Sequence, residues 1–387
     1  MLWVCGEGQG RLSLNLKSNN KFLSSIKMDV ETRYELVTRN LQEIILPGEL
    51  KDLLETNEHP RGYVGFECSG MMHAGTGLIV GKKMLDYVEA GFHFIIFLAD
   101  WHSWINNKLG GDMENIRAGG EYFKDCFTAL GLPPGKVEYL WASELVEREG
   151  YWERVVRVMK NTTMNRVLRA MPIMGRSVDA TDVEAAWTLY PAMQTSDIFQ
   201  MRLDCACSGM DQRKVHMLTR EVAPKLDEKS PVCLHSPLLP SLQESTVEGK
   251  FDEDEAINKS ISTKMSKSVA KGALWVNDTP EEIEEKYRAA FCPPEQVEGN
   301  PVLDHARMIV FPHIGKLEIE RPAKYGGDVT FHSFEELAKS YESGDLHPLD
   351  MKRGITDAVI NLLKPVRAYF EDKPENLERM RRLRVTR

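Results

Sequence analysis

The stretch Y-V-G-F-E-C-S-G-M-M-H-A-G-T, residues 63–76, decides the fold of this chain. Its first four residues read as a strand, Ser69 and Gly70 break it, and the periodicity predicts a helix beginning near His73 and Gly75. A strand that turns into a helix in this way aims backbone N–H groups at an anion beyond the sheet edge. A helical stretch then runs to Ala90 and Gly91, followed by F-I-I-F-L-A at 94–99, a continuous apolar run typical of a parallel strand covered on both faces. Strand, helix and strand make a βαβ unit, so the fold class is α/β with a Rossmann-type parallel sheet. Asp100 and His102 lie just past the second strand, where open parallel sheets place ligand contacts, and are pocket candidates by position.

Working outward, residues 28–54 are helical in pattern, with Pro47 and Gly48 as punctuation. Residues 1–27 are polar and weakly basic, lack the apolar core of a secretory signal, and read as a disordered or mis-assigned extension, with Met28 an alternative start. Residues 152–174 read as a long helix rich in arginine and 183–190 as another, within a helical insertion spanning about 105–190. After a helical stretch at 213–226, P-V-C-L-H at 231–235 reads as a buried strand. The acidic run E-G-K-F-D-E-D-E at 248–255 reads as a mobile approach to K-M-S-K-S at 264–268, within a loop of about 240–272. The composition changes near Asn300. Residues 28–299 are therefore expected to form one domain and 300–387 a small, mainly helical second one, ending in a basic cluster at 379–384.

Bulk properties narrow the class. A chain of 387 residues, 42% hydrophobic, can bury a large core. Its net charge of −9 argues against wholesale coating of nucleic acid but leaves room for local basic patches that bind RNA. Seven dispersed cysteines without a C-x-x-C pair argue against a disulfide framework and fit a reducing cytoplasm, and no metal site is expected. No stretch approaches the roughly 20 apolar residues of a membrane span.

The chemistry lies in two places. His73 and Gly75 sit at a strand-to-helix turn, and Lys264 and Lys267 bring two ammonium groups to a loop after the last candidate strand. Cations and N–H donors around one sheet edge are what phosphate oxygens require, and no covalent nucleophile stands between them.

With three further motifs in order, Y-P-A-M-Q-T-S-D (190–197), G-M-D-Q-R-K-V-H-M (209–217) and G-D-L-H-P-L-D (344–350), the chain resembles the class I aminoacyl-tRNA synthetases, and among them the tyrosyl-tRNA synthetases of the archaeal type. The resemblance covers about 28–365. It implies ATP-dependent ligation of L-tyrosine to tRNA(Tyr), through tyrosyl-adenylate with release of pyrophosphate and then transfer to the 3′-terminal adenosine. It assigns Tyr63 and Asp197 to the substrate phenol, and Tyr190, Gln194 and Gln212 to its ammonium group. His73, Gly75, Lys264 and Lys267, with Thr76 beside them, are assigned to ATP phosphates. Gly209 permits close backbone approach and Asp211 accepts from a ribose hydroxyl. Arg169 and Arg213 would read the first base pair of the acceptor stem, and Tyr325, His347 and Asp350 the anticodon. Magnesium is expected with ATP, held by phosphate oxygens and water, and the family implies a homodimer.

Two positions depart from the family pattern. Thr76 replaces the second histidine of H-x-G-H, exchanging an imidazole for a hydroxyl donor. Cys68 stands where relatives usually carry proline, a change expected to loosen the turn or expose a thiol. The acidic segment before Lys264 is also longer than expected. Two alternatives stay open at this point: a tryptophanyl-tRNA synthetase, and a synthetase-like RNA-binding protein without catalysis.

Overall fold

The computed structural model describes residues 28–383 except 133, 177–182, 245–246, 248 and 266–271. The extension at 1–27 and Lys267 therefore lie outside the described residues. Six strands form one sheet: β1 Glu43–Ile45, β2 Arg61–Phe66, β3 His93–Leu98, β4 Val137–Trp141, β5 Cys205–Gly209 and β6 Val232–Ser236. Their order is β1-β6-β5-β2-β3-β4, parallel throughout except for β1, which runs antiparallel to β6 at the edge. The winding reverses between β2 and β5. Open sheets form a ligand crevice at such a reversal, beyond the strands' carboxyl ends.

Alternation along the strands builds two cores. Val64, Phe66, Phe94, Ile96 and Leu98 face one layer, whose helices include Val30–Thr38, Gly81–Glu89 and Met113–Ala129. Tyr63, Ile95 and Phe97 face the other, formed by Tyr151–Lys160, Tyr190–Gln200 and Arg213–Val222. Burial on both faces explains why β2 and β3 are nearly continuous in apolar residues.

Several elements differ from expectation. Residues 28–54 are not one helical unit, because β1 lies between the helices Val30–Thr38 and Pro47–Thr56, with Pro47 opening the second. The long helix expected at 152–174 is three pieces, Tyr151–Lys160, Met164–Ala170 and a 3-10 turn Met171–Met174, because Thr163 caps a new helix through its side chain. β4 lies within the stretch expected to be a helical insertion. Residues 251–255, expected as an irregular approach, form a turn leading into the helix Glu255–Thr263, capped by Asp254.

After Asn300, whose side chain caps Pro301–His305, come a two-stranded hairpin, Leu317–Ile319 with Val329–Phe331, and the helices Phe334–Glu342, Pro348–Asp372 and Glu375–Arg382. This region packs back on the sheet domain. Phe370 stacks on Tyr122 at 5.7 Å, Tyr369 donates to Asp125 at 2.8 Å, and Arg379 of the basic cluster pairs with Glu114 at 2.8 Å.

Candidate active site

A cavity of about 350 Å³ opens at the carboxyl ends of β2 and β5. Its walls carry Tyr63, Glu67, His73, Gly75, Thr76, His102, Tyr190, Gln194, Asp197, Gly209, Asp211, Gln212 and Lys264. Residues from separate motifs thus converge because the strands supply the floor and Tyr190–Gln200 the wall above it.

One end is buried. Asp197, fully excluded from solvent, accepts a hydrogen bond from the Tyr151 hydroxyl at 2.7 Å through Oδ1. Its Oδ2 lies 3.2 Å from His102 Nε2 without hydrogen-bond geometry, and among the described residues neither atom has a partner. Burial, reinforced by the Asp197 charge, pushes the Tyr63 and Tyr151 phenols well above their usual range, so both remain protonated donors. The Tyr190 hydroxyl donates to Glu67 Oε1 at 3.0 Å, an oxygen that also accepts from Asn106 at 2.7 Å. Gln194 donates to Gln212 at 3.2 Å, and Gln212 donates to the Ile173 carbonyl at 2.9 Å.

The other end is more open and charged. Lys264, which follows Glu255–Thr263 and bridges to Pro240, holds Asp211 at 2.6 Å. Thr76 turns its backbone N–H and its hydroxyl to the two ring nitrogens of His73, each at 3.3 Å. Thr76 therefore puts a polar group in the cavity wall, in contact with His73. Gly75 lets that ring approach: a Cβ there would lie 3.1 Å from His73 Nδ1 and 3.2 Å from Leu239.

Two expectations are corrected. Asp100 is not a pocket group: fully buried, it accepts from the backbone and hydroxyl of Ser143 at 2.9 and 2.7 Å and anchors the turn after β4. Cys68 exposes no thiol. It is buried, and its N–H, which proline would lack, donates to Ser103 Oγ at 2.9 Å.

The remaining candidates stand outside the cavity. Arg213 meets Glu43 at 2.9 Å and Arg169 meets Glu253 at 3.1 Å. Tyr325, 59% exposed, sits on a turn tied down by Arg321, which donates to the carbonyls of Gly327 and Asp345 at 2.9 and 3.1 Å and so holds it against the segment before His347. His347 caps Pro348–Asp372, and Asp350 lies in that helix's first turn without being the cap. Sequence reasoning missed Glu67 and Tyr151. Glu67 was visible inside the opening stretch as a carboxylate at a strand end, whereas nothing local marks Tyr151.

The family model for class I tRNA synthetases (W and Y) matches residues 55–364. A tyrosine–tRNA ligase of Thermococcus sibiricus is 45% identical over 376 residues, covering 93% of this chain and all of the relative. The crystal structure of a tyrosyl-tRNA synthetase from Pyrococcus horikoshii, complexed with L-tyrosine, superposes with a TM-score of 0.85 at 43% identity, covering 92% of this chain and all of that one. A tryptophanyl-tRNA synthetase from Aeropyrum pernix reaches a TM-score of 0.64 at 16% identity over 88% of this chain and 85% of its own, a likeness of fold alone.

Proposed function

The chain belongs to the class I tRNA synthetases of the tryptophan and tyrosine type, and from that premise we infer how its cavity ligates L-tyrosine to tRNA(Tyr). The enzyme is a tyrosine–tRNA ligase that uses ATP as co-substrate. The tryptophan alternative rests on a distant likeness of fold.

The observation that carries our reading of the site is the buried carboxylate of Asp197, one oxygen engaged by Tyr151 and the other unpartnered at the cavity wall. A phenol entering beside Tyr63 donates to that oxygen. Phenylalanine would leave it buried and unpaired, a cost of about 1–3 kcal/mol or more for a charged group. Gln194, Gln212 and Tyr190 accept from the ammonium group. With tyrosine so anchored, its carboxylate is positioned to attack the α-phosphorus of ATP. The new O–P bond forms as the bond to pyrophosphate breaks, giving tyrosyl-adenylate.

His73, the Thr76 hydroxyl, Lys264 and Lys267 neutralise and align the phosphates, which is most of what phosphoryl transfer asks of a protein. Gly209 lets the nucleotide approach the chain: a Cβ there would lie 2.8 Å from both Asp211 and Leu238. Asp211 accepts from the ribose once Lys264 turns to phosphate. Magnesium fits as a companion of the triphosphate, because two carboxylates of the cavity wall, Asp211 and Glu67, are already engaged by Lys264 and by Asn106, Tyr190 and Lys108. It supplies charge neutralisation when bound.

In the second step a ribose hydroxyl of the 3′-terminal adenosine attacks the tyrosyl carbonyl carbon of the adenylate, and the ester forms as the bond to AMP breaks. Arg169 and Arg213 take the acceptor stem, and Tyr325 offers an aromatic face to an unpaired anticodon base beside His347 and Asp350. We assign residues 28–299 to catalysis and 300–387 to the anticodon. A homodimer is supported by an exposed aromatic surface, where Trp101 packs on Trp104 and Trp152 at 5.7 and 5.5 Å and the latter two are 47% and 41% exposed. No helix among the described residues is long and apolar enough to cross a membrane. The described cysteines are free thiols, which supports a reducing, cytoplasmic site of action.

Amino-acid-dependent exchange of pyrophosphate into ATP tests the reading. Tyrosine is expected to drive exchange while tryptophan and phenylalanine do not. Exchange with tryptophan alone would overturn the specificity, and no exchange with any of the three would favour an RNA-binding protein without catalysis.

A further inference from the structure

The acidic segment before Lys264 is folded onto the surface assigned above to RNA. Asn258 Oδ1 accepts the N–H groups of Phe251 and Asp252 at 2.7 and 3.1 Å, and Asp252 Oδ1 accepts that of Asp254 at 3.0 Å, which makes a defined turn. That turn lies across cations from two separate helices, Met164–Ala170 and Arg213–Val222. Lys214 Nζ donates to the Phe251 carbonyl at 2.7 Å and stands 3.5 Å from Asp252 and 3.6 Å from Glu253. Arg169 Nε lies 3.1 Å from the other oxygen of Glu253. One carboxylate therefore bridges two cations, with a second beside it. Although burial works the other way, Lys214 and Arg169 hold the Glu253 carboxyl below its usual range.

We propose that Arg169 and Lys214 form a phosphate-binding surface for the acceptor strand of tRNA, and that the acidic turn at Asp252 and Glu253 occupies it intramolecularly until RNA displaces it. The proposal rests on the reading that Arg169 faces tRNA. Its chemistry is an exchange of like for like: each phosphodiester carries one negative charge on two terminal oxygens, as a carboxylate does, and a guanidinium or ammonium accepts either. Displacement is easy where the pair is wet, since Arg169 and Glu253 are 62% and 57% exposed and such pairs are individually weak. Lys214 and Asp252, at 15% and 11%, fix the turn in place. The turn thus screens the basic surface from non-specific polyanions and yields to an RNA that engages several cations at once.

The test is the KM for tRNA in aminoacylation, with tyrosine-dependent pyrophosphate exchange measured in parallel to show an intact active site. The double variant Asp252→Asn, Glu253→Gln is expected to lower the KM for tRNA about 3- to 10-fold, the effect of removing the three ion pairs that hold the turn on Arg169 and Lys214, with exchange unchanged. Glu255→Gln removes a charge two residues away, and among the described residues Glu255 makes no ion pair with Arg169 or Lys214; it is expected to change KM less than 2-fold, the scale of a general field effect. A KM equal to wild type, or a gain no larger than that of Glu255→Gln, would overturn the proposal. Wild-type KM in Arg169→Ala and Lys214→Ala would instead remove the RNA reading on which it stands.

Discussion

The two ends of the cavity are built differently. At the tyrosine end, beside buried Tyr63, Asp197 is joined to Tyr151 and Glu67 to Tyr190 by buried or half-buried hydrogen bonds that need no substrate to form. At the nucleotide end, the polar and charged groups satisfy one another: Lys264 holds Asp211, and Thr76 holds His73. The difference follows from what each end must do. Choosing one amino acid requires a desolvated carboxylate whose orientation is set beforehand, because an unpaired polar group discriminates only when water cannot replace its partner. Holding phosphates requires mobile cations that exchange an internal partner for a ligand and release it again after pyrophosphate leaves.

That contrast can be broken most severely at Asp197. Asp197→Ala is expected to lower kcat/KM for tyrosine in exchange by on the order of 10³-fold, as loss of a buried charged hydrogen-bond partner does, and to narrow the preference over phenylalanine, with the KM for ATP unchanged. A preserved preference would remove Asp197 from its role.

Next in size is an effect of acid on the support behind the nucleotide end. His305 is fully buried, accepts from the Tyr287 hydroxyl at 2.8 Å and donates to the carbonyl of Pro240, the residue bridged to Lys264, at 3.2 Å. Burial lowers its pKa from 6.5 to about 4. The neutral ring therefore contributes stability that is complete above pH 6.5 and lost as pH falls through 4, about 3 kcal/mol for a shift of this size. Urea unfolding at pH 7, 5.5 and 4 checks it: His305→Gln should lose less stability over that range than wild type, and parallel losses would contradict the assignment.

A smaller effect is expected at Lys264. Lys264→Ala should lower kcat of exchange roughly 30-fold, about 2 kcal/mol for one charge-assisted contact, while the KM for tyrosine stays put. Smallest is the anticodon face. Tyr325→Ala should raise the KM for tRNA about 10-fold, the scale of one stacked base, with exchange unaffected; a change in exchange would tie Tyr325 to the fold instead.

The same contrast governs what was legible in the sequence. β2, β3 and β6 could be read because strands covered on both faces are nearly continuous in apolar residues. β5 could not: C-A-C-S-G has neither branched nor aromatic residues, and only its place between β2 and β6 makes it a strand. β1 has three residues and hides in a helical context, and the alternation of V-E-Y-L-W in β4 was absorbed into a region of helices. At the site, residues within motifs were legible because their spacing reports their role. Tyr151 was not, since its contact with Asp197 depends on Tyr151–Lys160 packing against Tyr190–Gln200, a tertiary fact with no local signature. His102 was flagged by its position after β3 and does line the cavity, whereas Asp100, flagged by the same rule, points to Ser143. Position past a strand narrows the choice, and side-chain direction makes it.

The division of labour between the two ends is tested most directly by calorimetric binding of tyrosine in the absence of ATP, to wild type, Asp197→Ala and Lys264→Ala. Tyrosine is expected to bind wild type and Lys264→Ala with the same Kd, within about 2-fold for sites that do not couple, and to bind Asp197→Ala far more weakly. Loss of tyrosine binding in Lys264→Ala, or none in Asp197→Ala, would contradict it.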